Sequence, residues 1–336
     1  MTDTAGAGGD GVGELVHRVA RSTVALNYRR WNWGEGVAQY ALLRTGILLN
    51  EPAYTGEVSA FMRQNAALVP RTIDEIMPAL AAVLLHQETG DKLPLELALR
   101  VAAMLETHPR SHHGAYTATR VRTVWVDYLF ESAPYLWQLG AVTGDPRYAE
   151  WAIDQTLAYL MACWNPRERL FHHVYYDATF SPNPSLWARA NGWTALGLVE
   201  MLALIPRERG LTPMLSRVLG YLAERLAALQ DDSGHWHIVL DDPETYLETS
   251  TSAMISLALR RAVRDGWVDQ RYRASADRAW DAVVREIDAN GQVLGVSAET
   301  PPGDAEYYQA IERGVHPWGQ GFALLAALDR LEFPHP

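Results

Sequence analysis

Cysteine is almost missing. Cys163 is the only one in 336 residues, so no disulfide can form within the chain and the fold must rest on its core. Long apolar runs are also missing: none reaches the roughly 18 residues of a membrane span. Glycines cluster at Gly6–Gly13, but no strand precedes them and no Lys-Ser/Thr follows, which excludes a phosphate-binding loop. There is no Gly-x-Ser-x-Gly elbow, so a serine hydrolase of that type is excluded too. Positive charge is scarce. The 29 Lys and Arg face 40 Asp and Glu, for a net charge of −11. That excludes a general polyanion-binding face, and neither nucleic acid nor membrane is expected as a partner. A small anionic ligand stays compatible, because one arginine can dominate a pocket. Met1–Gly11 lacks the apolar stretch of a signal peptide and is expected to be a disordered tail. With the lone cysteine, this points to a cytoplasmic protein. Cys163, after Met161-Ala162 on an apolar helix, reads as a small core residue.

Phenylalanine is sparse as well, with 6 residues against 12 Trp and 15 Tyr. Aromatics with a polar handle suit sites for polar rings. Apolar residues recur at helical spacing nearly throughout. The pattern predicts helices at Gly13–Leu26, Gly34–Leu49, Thr55–Ala67, Ile73–Glu88, Leu95–Glu106, Asp127–Val142, Pro146–Cys163, Trp187–Leu204, Leu211–Gln230, Glu248–Asp265, Gln270–Asp288 and Gly319–Leu331. Gly90, Gly144 and Gly266 mark helix stops, and Pro146 a start. Arg169–Tyr176 and His235–Leu240 read as strands of small hairpins between helices. Twelve helices in up-down order predict an all-α fold, an (α/α)6 barrel of six helical hairpins, with the site at one rim. An open solenoid is the alternative, but no fixed repeat period supports it. Residues 12–336 are expected to form one domain, since no linker splits them.

The residues with chemistry cluster near predicted helix starts. Trp187-Ala188-Arg189-Ala190-Asn191-Gly192-Trp193 places two tryptophans, an arginine and an amide ahead of an apolar helix. Tryptophan faces stack on sugar rings, arginine binds carboxylates, and the amide bonds hydroxyls. Asp127 lies among Trp125, Val126, Tyr128 and Leu129, where burial would raise its pKa and equip it as a general acid. Helix capping is the competing reading for Asp127, and equally for Asp74 with Glu75 beside it. If both face one cleft, the two aspartates form the carboxylate pair of a glycosidase. Strand alternation sends His172 and His173 to opposite faces, so at most one faces the cleft. His235 and His237 share a face, yet no third ligand follows at a metal-site spacing, so no metal is expected.

These motifs resemble glycoside hydrolase family 105, the unsaturated rhamnogalacturonyl hydrolases, with family 88 as a more distant relative. The resemblance runs from about Trp31 to Leu331. It is carried by Trp125-Val126-Asp127, Leu170-Phe171-His172-His173, the Trp187–Trp193 string and Tyr246–Met254. It implies an (α/α)6 barrel without metal or nucleotide cofactor, acting on a small acidic oligosaccharide whose nonreducing end is a 4,5-unsaturated uronic acid. It further implies hydration of the C4–C5 double bond. Asp127 would protonate C4 and then activate the water that attacks C5, with Asp74 and His173 as the other catalytic groups. Arg189 would bind the uronate; Trp187, Trp193 and Trp33 would stack on sugars; Asn191, Glu248 and His316 would line the cleft. The sequence departs from the family pattern at Glu75 and Met77, at His112–Tyr116 and around His316-Pro317-Trp318, which leaves the leaving sugar open. An inverting glycosidase, an epimerase and a carbohydrate binder without catalysis are the alternatives.

Overall fold

The computed structural model describes residues 9–118 and 122–334. Among them the helices are α1 (Gly9–Ala25), α2 (Trp33–Leu49), α3 (Pro52–Gln64), α4 (Met77–Thr89), α5 (Lys92–Glu106), α6 (Tyr128–Thr143), α7 (Pro146–Cys163), α8 (Ala188–Leu204), α9 (Thr212–Ala228), α10 (Thr249–Arg264), α11 (Arg273–Arg285), α12 (Ala305–Gln309) and α13 (Pro317–Glu332). All but α12 answer to a predicted segment; α12, at five residues, is too short for periodicity to register. Two segments open as 3-10 turns, Ile73–Glu75 before α4 and Gln270–Tyr272 before α11. Of the tail expected over residues 1–11, residues 1–8 lie outside the described residues. Gly9–Gly11 are instead the first residues of α1. A helix nucleated further along propagates backwards at little cost, even through glycine.

Helices α2, α4, α6, α8, α10 and α13 each pack on the next, and α13 packs back on α2. That contact closes a ring and excludes the open solenoid. Helices α3 and α5 lie against α4, α7 against α6, α9 against α8, α11 against α10, and α1 against α13 and α2. The result is the double-layered (α/α)6 barrel. Burial separates the layers: inner α8 is buried continuously from Ala188 to Val199. Outer α11 buries only a stripe, Ser275, Ala276, Ala279, Trp280, Ala282 and Val283, and turns its charges outward.

The ring is tight enough to require glycine. A Cβ on Gly36 would lie 2.6 Å from the backbone nitrogen of Pro78 on α4. One on Gly321 of α13 would lie 2.9 Å from the carbonyl of Val37 on α2. At the end away from the site, buried Asp329 accepts from Arg260, Arg261 and Arg264, which ties α13 to α10.

The strands are short and lie in the loops. The segment predicted as one strand over Arg169–Tyr176 is divided. Leu170–Phe171 pairs with Trp164–Asn165, while Val174–Tyr176 runs between Thr123–Trp125 and Ser181–Pro182. The division falls at His172-His173, where the chain leaves one hairpin for the other sheet. Trp236–His237 pairs with Leu247–Glu248. No helix among the described residues is long and apolar enough to cross a membrane.

Gly36→Ala should force α2 and α4 apart and destabilise the fold by about 1–3 kcal/mol, the usual cost of overpacking. A thermal midpoint equal to that of the unsubstituted chain would show that the crossing has slack.

Candidate active site

The inner helices run in one direction, so their N-termini gather at one rim. A cleft of about 590 Å³, its open mouth included, lies there, within the ~300–1,000 Å³ typical of small-molecule sites. Trp33 enters it from the start of α2, and Asp74 from the turn before α4. Asp127, Tyr128 and Glu131 enter from α6, and Trp187, Arg189 and Trp193 from α8. Trp125 and the loop Glu299-Thr300-Pro301 complete the wall.

Asp127 stands at the N-cap position of α6, yet its side chain caps nothing; its backbone is already helical, which turns the carboxyl away from the free N–H groups. It is 7% exposed. Oδ1 has no protein partner, and Oδ2 lies 3.5 Å from Nε2 of His173. His173 is fully buried, with Trp187 4.0 Å and Trp125 5.0 Å from its ring. Burial holds its pKa below the ordinary value, partly offset by Asp127, so the ring is neutral near pH 7. Its Nδ1 is 2.8 Å from the hydroxyl of Tyr308. A hydroxyl that donates there leaves the ring hydrogen on Nε2, facing Asp127. His172 points elsewhere, with Nε2 3.1 Å from Asn165.

Asp74 is not a cap either. Glu75 closes the turn by accepting from the backbone N–H groups of Arg71 and Thr72 at 2.6 and 2.9 Å. That frees Asp74 to face the cleft, where it accepts from the Tyr128 hydroxyl at 2.8 Å. Glu131, which motif reading passes over, is a third carboxyl in the same cleft. Its signal was present: it follows Asp127 by four residues inside an apolar helix, which places both on one face.

Arg189 is committed to the protein. Nη1 donates to the carbonyl and hydroxyl of Ser297 at 3.1 and 2.6 Å, and Nη2 to the Ala298 carbonyl and Thr300 hydroxyl at 3.0 and 2.9 Å. Only Nε has no partner, so no fork is available for a bidentate grip on a carboxylate. The guanidinium lies 3.8 Å from Glu248 and over the rings of Trp187 and Trp318. Glu248 is fully buried and caps α10 through Ser250 and Thr251. It also accepts from the Ser297 N–H at 2.9 Å. Burial alone would raise its pKa, but Arg189 and these bonds bring it below the ordinary value. Arg189 and Glu248 thus hold the 297–301 loop over the cleft from two sides.

Other expected contacts prove to be internal. Asn191 is buried, donating to the carbonyls of Phe171 and Trp187 and accepting from the Phe171 N–H. It pins the hairpin to α8 and does not line the cleft. His316 stacks on Trp318 at 4.6 Å, also outside the lining. Trp187 has its faces on His173 and Arg189 and offers an unpartnered Nε1. Trp193 packs edge-on to Trp33 and Phe322. Trp33 is half-buried, stacked on Trp318 at 4.4 Å. His112 pairs with Asp177 at 2.6 Å, beyond the cleft lining. His235 bonds to Ser252, and His237 to the Thr245 carbonyl. Among the described residues no group of three or more His, Cys, Asp or Glu side chains is placed to hold a metal ion.

The model of glycosyl hydrolase family 88 matches residues 12–333. An unsaturated rhamnogalacturonyl hydrolase of Bacillus subtilis, YesR, is 28% identical over 96% of this chain and 95% of its own length. An unsaturated 3S-rhamnoglycuronyl hydrolase of Alteromonas is 28% identical over 63% of this chain and 52% of its own. Among solved structures, a possible member of the GH105 family from Salmonella enterica superposes with a TM-score of 0.92 at 23% identity, covering 100% of this chain and 97% of that one. An unsaturated glucuronyl hydrolase from Bacillus sp. GL1 superposes with a TM-score of 0.76 at 17% identity, covering 96% of both chains.

Arg189→Ala should release the 297–301 loop and strand buried Glu248, destabilising the protein by about 3–5 kcal/mol. A denaturant titration alongside steady-state kinetics checks this. Unchanged stability with a raised KM alone would assign the guanidinium to the ligand instead.

Proposed function

Because the chain belongs to glycosyl hydrolase family 88, we propose that it releases the 4,5-unsaturated uronic acid from the nonreducing end of lyase-generated oligosaccharides, those of the rhamnogalacturonan type first, by hydrating the C4–C5 double bond. The observation that carries this reading is Asp127. It is a buried carboxyl with one oxygen unpartnered by protein, set among aromatic side chains and within reach of a neutral histidine.

The unsaturated ring is a vinyl ether. Protonated Asp127 delivers its proton to C4, and the positive charge spreads over C5 and the ring oxygen. Carboxylates beside that centre stabilise it, and Asp74, fixed by Tyr128, is placed to do so. Water then adds to C5 while the Asp127 carboxylate takes its proton, which restores the acid. The C5 hemiketal opens to a ketone, leaving a hemiacetal at C1 that expels the remaining sugar with its own oxygen. His173 holds Asp127 in orientation, and Tyr308 sets the histidine tautomer. Trp33 offers a ring to the sugar at the cleft wall. Arg189 supplies positive charge and the single Nε–H, with Nε1–H of Trp187 as a further donor. The N-termini of the inner helices add their favourable potential for an anion.

Two measurements test this. Loss of the ultraviolet absorbance of the conjugated uronate should accompany digestion of an unsaturated rhamnogalacturonan disaccharide, and the saturated analogue should be left intact. Cleavage of the saturated analogue would instead support a conventional glycosidase using Asp74 and Asp127. Asp127→Asn should lower kcat by a factor on the order of 10²–10⁴ with folding retained; kcat within a few-fold of the unsubstituted enzyme would remove Asp127 from the acid role.

A further inference from the structure

Glu131 is a buried carboxyl of the cleft that the reaction above does not employ. It stands one turn after Asp127 on α6 and lines the same cleft as Asp127 and Asp74. It is only 2% exposed, and Oε2 has no protein partner. The titratable groups around it are Asp127 and Tyr128 on α6, Asp74 on the turn before α4, and Tyr159 on α7. Arg189, on α8, lines the same cleft but has its terminal N–H groups bound to the 297–300 loop. No ion pair to Glu131 forms among the described residues, and a lone buried carboxylate there would be costly.

We propose that Glu131 is a ligand-binding residue of this cleft, donating its carboxyl O–H to an oxygen of the sugar ring held against Asp127. The inference rests on the function proposed above. Burial, and then the neighbouring charges of Asp127 and Asp74, hold the Glu131 pKa well above the usual carboxylate range. The group therefore keeps its proton towards neutral pH and has an O–H to give. An acidic ligand entering the cleft then meets a donor at Glu131 in place of a negative charge. When the pH rises far enough to ionise Glu131, the donor becomes an anion facing an anionic ligand, and binding weakens.

Glu131→Gln and Glu131→Met separate the outcomes. The glutamine keeps the shape and a donor that does not ionise; the methionine keeps length and burial without a donor. On the unsaturated disaccharide, KM of the unsubstituted enzyme should rise at alkaline pH, and that of Glu131→Gln should not. Glu131→Met should have a KM about tenfold above Glu131→Gln, the worth of one buried hydrogen bond. Equal KM values for the two variants, with the alkaline rise kept in both, would overturn the proposal.

Unfolding gives a readout that needs no substrate. The folded-state pKa is raised, so the stability of the unsubstituted protein falls as pH climbs above the ordinary value of 4.5 towards the folded-state value. Glu131→Gln removes that titration, so its thermal midpoint should gain on the unsubstituted protein as the pH climbs above 4.5. A constant difference would mean an ordinary carboxylate and would overturn the proposal. An enzyme inactive on the unsaturated disaccharide would refute the proposed function alone. The unfolding comparison, with calorimetric binding of galacturonic acid to the two variants, would still decide the role of Glu131.

Discussion

The packing of α13 against α2 is the constraint on which the rest depends. Six inner helices can stack in a row, through five contacts, without specifying a site. The sixth contact, made where Gly321 lets α13 reach the backbone at Val37, bends the row into a ring. Once closed, the ring brings the N-termini of six inner helices to one rim. Side chains more than 150 residues apart in sequence, such as Trp33 and Trp193, then line one cleft. The opposite end is drawn together by the arginines around Asp329.

The cleft is acidic for a site that takes an acid. Asp74, Asp127, Glu131 and Glu299 all line it, against Arg189 alone. Helix N-termini offset part of that charge, and the raised Glu131 pKa removes more near neutrality. Arg189 contributes less free charge than its burial suggests, because Glu248 stands 3.8 Å away. The same pair holds the loop that walls the cleft, so ligand contact and loop order share one set of bonds. An error in either residue would be felt first as a loose wall.

Much of the site was legible because chemistry-bearing residues stood out against apolar surroundings. Asp127 among aromatics, the Trp187–Trp193 string and His173 all stand at or beside the cleft. What each does there was less legible. A tryptophan is free to stack on sugar only if its faces are free, and those of Trp187 are taken by His173 and Arg189. Asn191 and Glu248 look available in sequence, but a hairpin and a helix start claim their hydrogen bonds. Tyr308 and the 299–301 loop carry no local signal, since their roles come from contacts over 100 residues away in sequence. Glu131 did carry one, its spacing from Asp127.

The sequence by itself determined the helices, their stops and their approximate ends, because periodicity, caps and glycine act within a few residues. It also determined the family, through motifs in a fixed order. Tertiary structure alone decided that Thr72 and Glu75 form the turn while Asp74 faces the cleft, that Arg189 spends its fork on a loop, and that Glu131 shares a cavity with three other carboxyls. Those outcomes depend on which groups are desolvated together, and desolvation belongs to the closed ring rather than to any one segment of the chain.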